Sequence, residues 1–180
     1  EDVDGVRFLV EMQNWSQHYF NKRAVYYSSF AIQDQAAKEK RHQLETLKKD
    51  KWDYNFAPVY LVCFLTFNMK RNLPELTKVK EDDYISIYKY MDVETNELLE
   101  DGTTLIFIEL KKFSKNLKEC DTEKDRWICS LKSMGDQLEM PKELSGTILQ
   151  TLYDKAALAA MSPEKRTIYI SKTMSRNDEL

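Results

Sequence analysis

"APVYLVCFLTF", Ala57–Phe67, is apolar on both alternations of its side chains. A strand with one wet face alternates apolar and polar residues, so a run that is apolar on both faces suits a strand covered on both sides. That is the centre of an α/β sheet, and Cys63 within it reads as a core residue.

Working outward, "GVRFLVEMQNW" at Gly5–Trp15 alternates as a strand, with Val6, Phe8, Val10 and Met12 on one face and Arg7, Leu9, Glu11 and Gln13 on the other. "SQHYFNKRAVYYSSFAIQDQAAKEKRHQLETLKK", Ser16–Lys49, predicts a long helix with a core-facing stripe at Phe20, Ala24, Tyr27 and Ala31. Its charged second half is expected to project into solvent. "DYISIYKYMDV" (Asp83–Val93) and "TTLIFIEL" (Thr103–Leu110) predict two further strands, with Asp101-Gly102 as a turn signal before the second. The C-terminal third turns helical. Thr122 with Asp125 opens "EKDRWICSLKSM" in the manner of a capping box, a second helix runs through Leu144, Ile148, Leu152 and Ala156, and Ser162-Pro163-Glu164 starts a third. The fold class is α/β: a mixed sheet flanked by helices over residues 1–118, with a helical extension over 119–180. Asp4-Gly5 is a hairpin turn signal with only Glu1–Val3 ahead of it, so the chain is expected to be part of a longer protein, opening inside a β-hairpin.

Composition removes several chemistries. The 27 basic and 30 acidic residues give a net charge of -3, less basic than a constitutive nucleic-acid binder, so DNA contact would need local basic patches or a bridging divalent cation. Four glycines form neither a phosphate loop nor a dinucleotide fingerprint, and no nucleotide cofactor is expected. His18 and His42 lack metalloprotease spacing, and no nucleophile elbow is present. Cys63, Cys120 and Cys129 have no paired spacing, which points to a reducing cytoplasm. No run reaches the roughly 18 apolar residues of a membrane span.

What remains is Glu11 with Gln13. Two positions apart on a strand, they point the same way with Cα atoms roughly 7 Å apart. Such a carboxylate can bind Mg²⁺, and its neighbour can touch the same ion's water. A solvent-exposed strand end with ordinary polar residues is the alternative.

"GVRFLVEMQNW", "FNKRAVYYSS" ending near "QDQ", "WDYNFAPVYLVCFLTF", "LIFIELKKF", "DRWICSLK" and "AAMSPEKRTIYISKTMSRNDE" occur in that order across nearly the whole chain. The succession resembles the PD-(D/E)XK nuclease family transposases, relatives of the recombination-promoting nucleases of bacteria. The resemblance implies a restriction-endonuclease-like core. In such a core an Asp on one strand and a Glu on the next hold Mg²⁺ (Mn²⁺ as a substitute), and a Lys two positions after the Glu activates water. It gives Glu11 the metal-binding role and puts Gln13 at the lysine position. The Asp would belong on a strand ahead of Asp4-Gly5, and Gln13 is neutral, so it can orient a water but not act as its base.

By the same resemblance Arg23, Tyr27 and Gln35 match positions of the family's helix. Arg23 meets a DNA phosphate, braces the carboxylate or forms a surface ion pair. Gln35 faces the active edge, Tyr27 is expected in the core, and Glu109 pairs locally. Lys111, Lys112 and Lys115, in "KKFSKNLK", are candidate phosphate contacts, as is the basic run "KEKRHQLETLKKDK". The implied function is a Mg²⁺-dependent DNA endonuclease of transposition or recombination, with DNA as partner and self-association left open. The alternatives are a non-cleaving DNA-binding or protein-interaction module and a structural partner within a transposition complex.

Overall fold

The computed structural model describes residues 6–14, 16, 19–70, 83–99, 102–137, 139–160 and 162. The Asp4-Gly5 turn, Asp101 and the helix start at Pro163-Glu164 lie outside them. The chain groups into two units, residues 1–114 and 115–180.

The first unit is a four-stranded sheet in the order β1-β2-β4-β3, from β1 (Arg7–Gln13), β2 (Val59–Leu65), β3 (Ile85–Tyr88) and β4 (Thr103–Glu109). β2 runs parallel to both β1 and β4, while β3 is antiparallel to β4. The two-sided apolar run therefore sits inside the sheet, as its pattern requires. Val59, Leu61, Cys63 and Leu65 are all at most 1% exposed, and each such side chain contributes about 1.5–3 kcal/mol by leaving water.

Helix α1 (Phe20–Arg41) connects β1 to β2 and covers one face of the sheet, where Phe20 and Ala24 pack with Leu61, Cys63, Leu65 and Phe107. No Gly or Pro interrupts it, and Lys38, Lys40 and Arg41 in its last turn complement the negative end of its dipole. The buried stripe is Phe20, Ala24, Ser28, Ala31 and Gln35. Tyr27, expected in the core, is instead 36% exposed. At 100° per residue Tyr27 falls about 60° off the centre of the observed stripe, so the small Ser28 meets the sheet and the bulky ring stands at its margin. The helix is also shorter than expected and passes into a wide turn at His42–Thr46. There the buried Gln43 donates to the Asn55 carbonyl (3.2 Å) and accepts from the Asp53 N–H (3.2 Å), tying the helix end to the loop that enters β2.

Strand β1 packs with its mixed face inward. Leu9 joins the core cluster and Gln13 is buried, while Phe8, Val10 and Met12 are 47%, 69% and 43% exposed. The predicted strand from Asp83 ends at Tyr88. Asp92 then accepts hydrogen bonds from the N–H groups of Glu94 and Thr95, making a turn, and Met91 bridges Leu98.

In the second unit α2 (Glu123–Ser133) is capped by Thr122, whose hydroxyl accepts from the Asp125 N–H at 3.1 Å. Helix α3 (Ile148–Ala160) begins later than the sequence pattern suggested. Leu144 lies in a short turn before it, and the buried positions are Leu144, Leu149 and Tyr153 rather than Ile148, which is 66% exposed. Gly146, at φ +75°, breaks the backbone between them and resets the helical phase.

Candidate functional site

Sheet register settles where Glu11 and Gln13 point. Glu11 is level with Cys63 and Phe107, and Gln13 with Leu65 and Glu109, all on the face that α1 covers. Both stand at the C-terminal end of β1, and open sheets of parallel strands bind ligands beyond their carboxyl ends. The Glu11 side chain retains a quarter of its exposure (25%), and Gln13 keeps only 7%. The main chain is pinned there, because the Gln13 carbonyl accepts from the Thr66 N–H (3.1 Å) and the Asn14 carbonyl from the Thr66 hydroxyl (2.8 Å).

Arg23 reaches Glu11 from the first turn of α1, with Nη2 donating to Oε1 at 3.4 Å. The same guanidinium contacts the Tyr27 hydroxyl (3.4 Å) and lies 5.5 Å from the centre of its ring, so three partly exposed side chains form one polar cluster. Cys63, beneath Glu11, has its thiol pushed up to about 12, chiefly by burial and further by the Glu11 charge. A thiol held so high is inert at neutral pH, and Cys63 acts as packing.

The other candidates lie elsewhere. Gln35 is buried, but twelve residues of helix separate it from Arg23, about 18 Å along the axis. It adjoins Asp34, which bonds Arg7 at the opposite end of β1. That ion pair holds the Asp34 carboxyl below its ordinary range, mainly through the hydrogen bond from Arg7. Lys112 is engaged with Glu109 at 3.2 Å and Lys115 with Asp125 at 2.7 Å, while Lys111 is exposed. Glu109 is fully buried and also accepts from the Met69 N–H at 2.7 Å, so it fastens the segment after β2.

The described residues contain no group of three or more His, Cys, Asp or Glu side chains able to hold a metal ion. One carboxylate that keeps a quarter of its exposure, with an amide two residues on, does fit the protein's share of a Mg²⁺ shell, because this ion keeps several waters and takes further oxygens from phosphate. Glu11 would hold it. Sequence reasoning missed Asn21, Lys22, Lys70, Tyr88 and Tyr90, which line adjoining cavities beside α1.

A four-stranded mixed sheet flanked by helices is consistent with the restriction-endonuclease-like class. The chain belongs to the PD-(D/E)XK nuclease family transposases, whose family model matches residues 1–180. No curated protein and no solved structure matches the chain. The family implies DNA as substrate, and its nucleases usually use divalent metals. No helix among the described residues is long and apolar enough to cross a membrane.

Proposed function

We propose that this protein is a Mg²⁺-dependent DNA endonuclease serving transposition or recombination, with Mn²⁺ able to replace Mg²⁺. What supports this reading is one juxtaposition: Glu11 and Gln13 share the α1-facing side at the C-terminal end of β1, and Arg23 stands 3.4 Å from the carboxylate. When bound, the metal ion supplies an activated water and neutralises charge on the phosphate. Glu11 would hold the ion. The Gln13 amide, with an acceptor and two donors, would orient the water but take no proton from it. Arg23 fixes the Glu11 carboxylate in direction, and can pass to a phosphate oxygen when DNA arrives. The family pattern adds a second carboxylate from a neighbouring strand.

The test is nicking of supercoiled plasmid with Mg²⁺ by the full-length protein and by Glu11→Ala. Cutting falls to background in the variant; equal cutting by both removes Glu11 from the mechanism. The second reading, a DNA-binding module without cleavage, is favoured by the neutral Gln13 and by the ion pair that already engages Glu11. It predicts a salt-dependent shift of DNA with no cutting under any divalent ion.

A further inference from the structure

On the flank of α1 facing away from Arg23, two adjoining cavities share Asn21. One, of about 240 Å³, lies between the helix and the β4–β3 side of the sheet, with Tyr88, Lys89 and Tyr90 at its wall. The other, of about 400 Å³, lies at the start of α1 and has Lys22 and Lys70 in its lining. Together they make a groove that is apolar and aromatic at one end and basic at the other.

Its charge is selective. The chain as a whole has more acidic than basic residues (30 against 27), yet three lysines and no carboxylate line the groove among the described residues. Its aromatic end keeps rings in reach of a ligand: Tyr88 and Tyr90 are 42% and 52% exposed, and the Tyr88 ring is seated on Phe107 at 5.1 Å between centroids. Rings set inside a concavity cannot reach the bases of a duplex, whose faces are stacked on one another. Only an unpaired base can turn a face to them.

We propose that this groove takes a single-stranded stretch of DNA, with a base against Tyr88 and Tyr90 and the backbone phosphates along Lys89, Lys22 and Lys70. The inference rests on the reading of DNA as substrate and specifies its form. Asn21, where the two ends meet, precedes Arg23 by two residues, about 3 Å along the helix axis but on the opposite flank of α1.

The experiment is fluorescence anisotropy of a labelled 12-nucleotide oligothymidine, and of the same sequence as duplex, with the full-length protein in EDTA. The single strand binds more tightly than the duplex. Tyr88→Ala with Tyr90→Ala weakens it about tenfold, in the range of lost base stacking, and the paired Phe substitutions restore it. Lys22→Ala, Lys70→Ala and Lys89→Ala together reduce the slope of log affinity against log salt by about 2. Unaltered circular dichroism establishes that each variant is folded. Single-strand affinity untouched by both sets of changes, or a duplex bound equally well, overturns the proposal. If plasmid nicking depends on Glu11 while the tyrosine variants bind as wild type, this inference fails and the nuclease reading stands. If nicking is absent while single-strand binding depends on the tyrosines, the reverse holds.

Discussion

Replacing Lys112 by Met should destabilise the first unit more than its partly exposed position suggests. Glu109, at the end of β4, has no exposed side-chain area, whereas the Lys112 side chain keeps 16%. At 3.2 Å and an effective dielectric constant of about 20, the charges attract by roughly 5 kcal/mol, most of which offsets the cost of removing both from water. Lys112→Met leaves that desolvation cost on a carboxylate that stays buried, for a loss of about 2–4 kcal/mol, somewhat below a fully buried pair. Glu109→Gln keeps an oxygen for the Met69 N–H and lets the lysine swing toward water, for about 1–2 kcal/mol. The double variant should cost little more than Glu109→Gln alone, giving a coupling of about 2 kcal/mol. Urea unfolding of the four proteins, followed by far-ultraviolet circular dichroism, measures the cycle. Additive single effects, within about 0.5 kcal/mol, would refute the claim that the buried carboxylate depends on this ammonium.

Gly102→Ala should lower stability by about 1–2 kcal/mol, because its φ of +68° suits glycine and an added Cβ would sit 3.4 Å from the Pro58 Cα; differential scanning calorimetry reads the loss. Val10→Ser should stay within about 0.5 kcal/mol whereas Leu61→Ala costs about 2–5, and equal losses in urea would mean that the orientation of β1 is wrong. The hydrogen bond from Lys115 holds the Asp125 carboxyl below its ordinary range. The stability it gives is present above the unfolded value of about 3.9 and lost as pH falls through the folded one. Asp125→Asn should therefore lower the melting temperature at pH 7 and shrink the further drop on going to pH 3.

The sheet's centre was legible because β2 is apolar on both alternations, as is Leu105–Ile108 in β4, the other inner strand. Which face of β1 packs was not legible. Alternation gives two faces without saying which meets a helix, and here the apolar residues Phe8, Val10 and Met12 took the outer side while Glu11 and Gln13 went under α1. The stripe of α1 was read one residue out at Tyr27, since a tyrosine is as apolar as a core residue and as polar as a marginal one. Lysine runs carried no record of their partners: Lys112 and Lys115 face Glu109 and Asp125 through contacts that only folding reveals. The resemblance put Gln35 toward the active edge, but its distance along the helix from Arg23 shows only when the helix is built.

The β1–α1–β2 arrangement also bears on when the site comes into being. Glu11 and Arg23 are twelve residues apart, whereas the β2–β4 pairing begins at Val59 with Thr103, forty-four residues away. Short separations close fastest and at least entropic expense, and a chain leaves the ribosome from its N-terminus. A newly made molecule can thus bring the carboxylate and the guanidinium together while the strand that completes the sheet is still being synthesised.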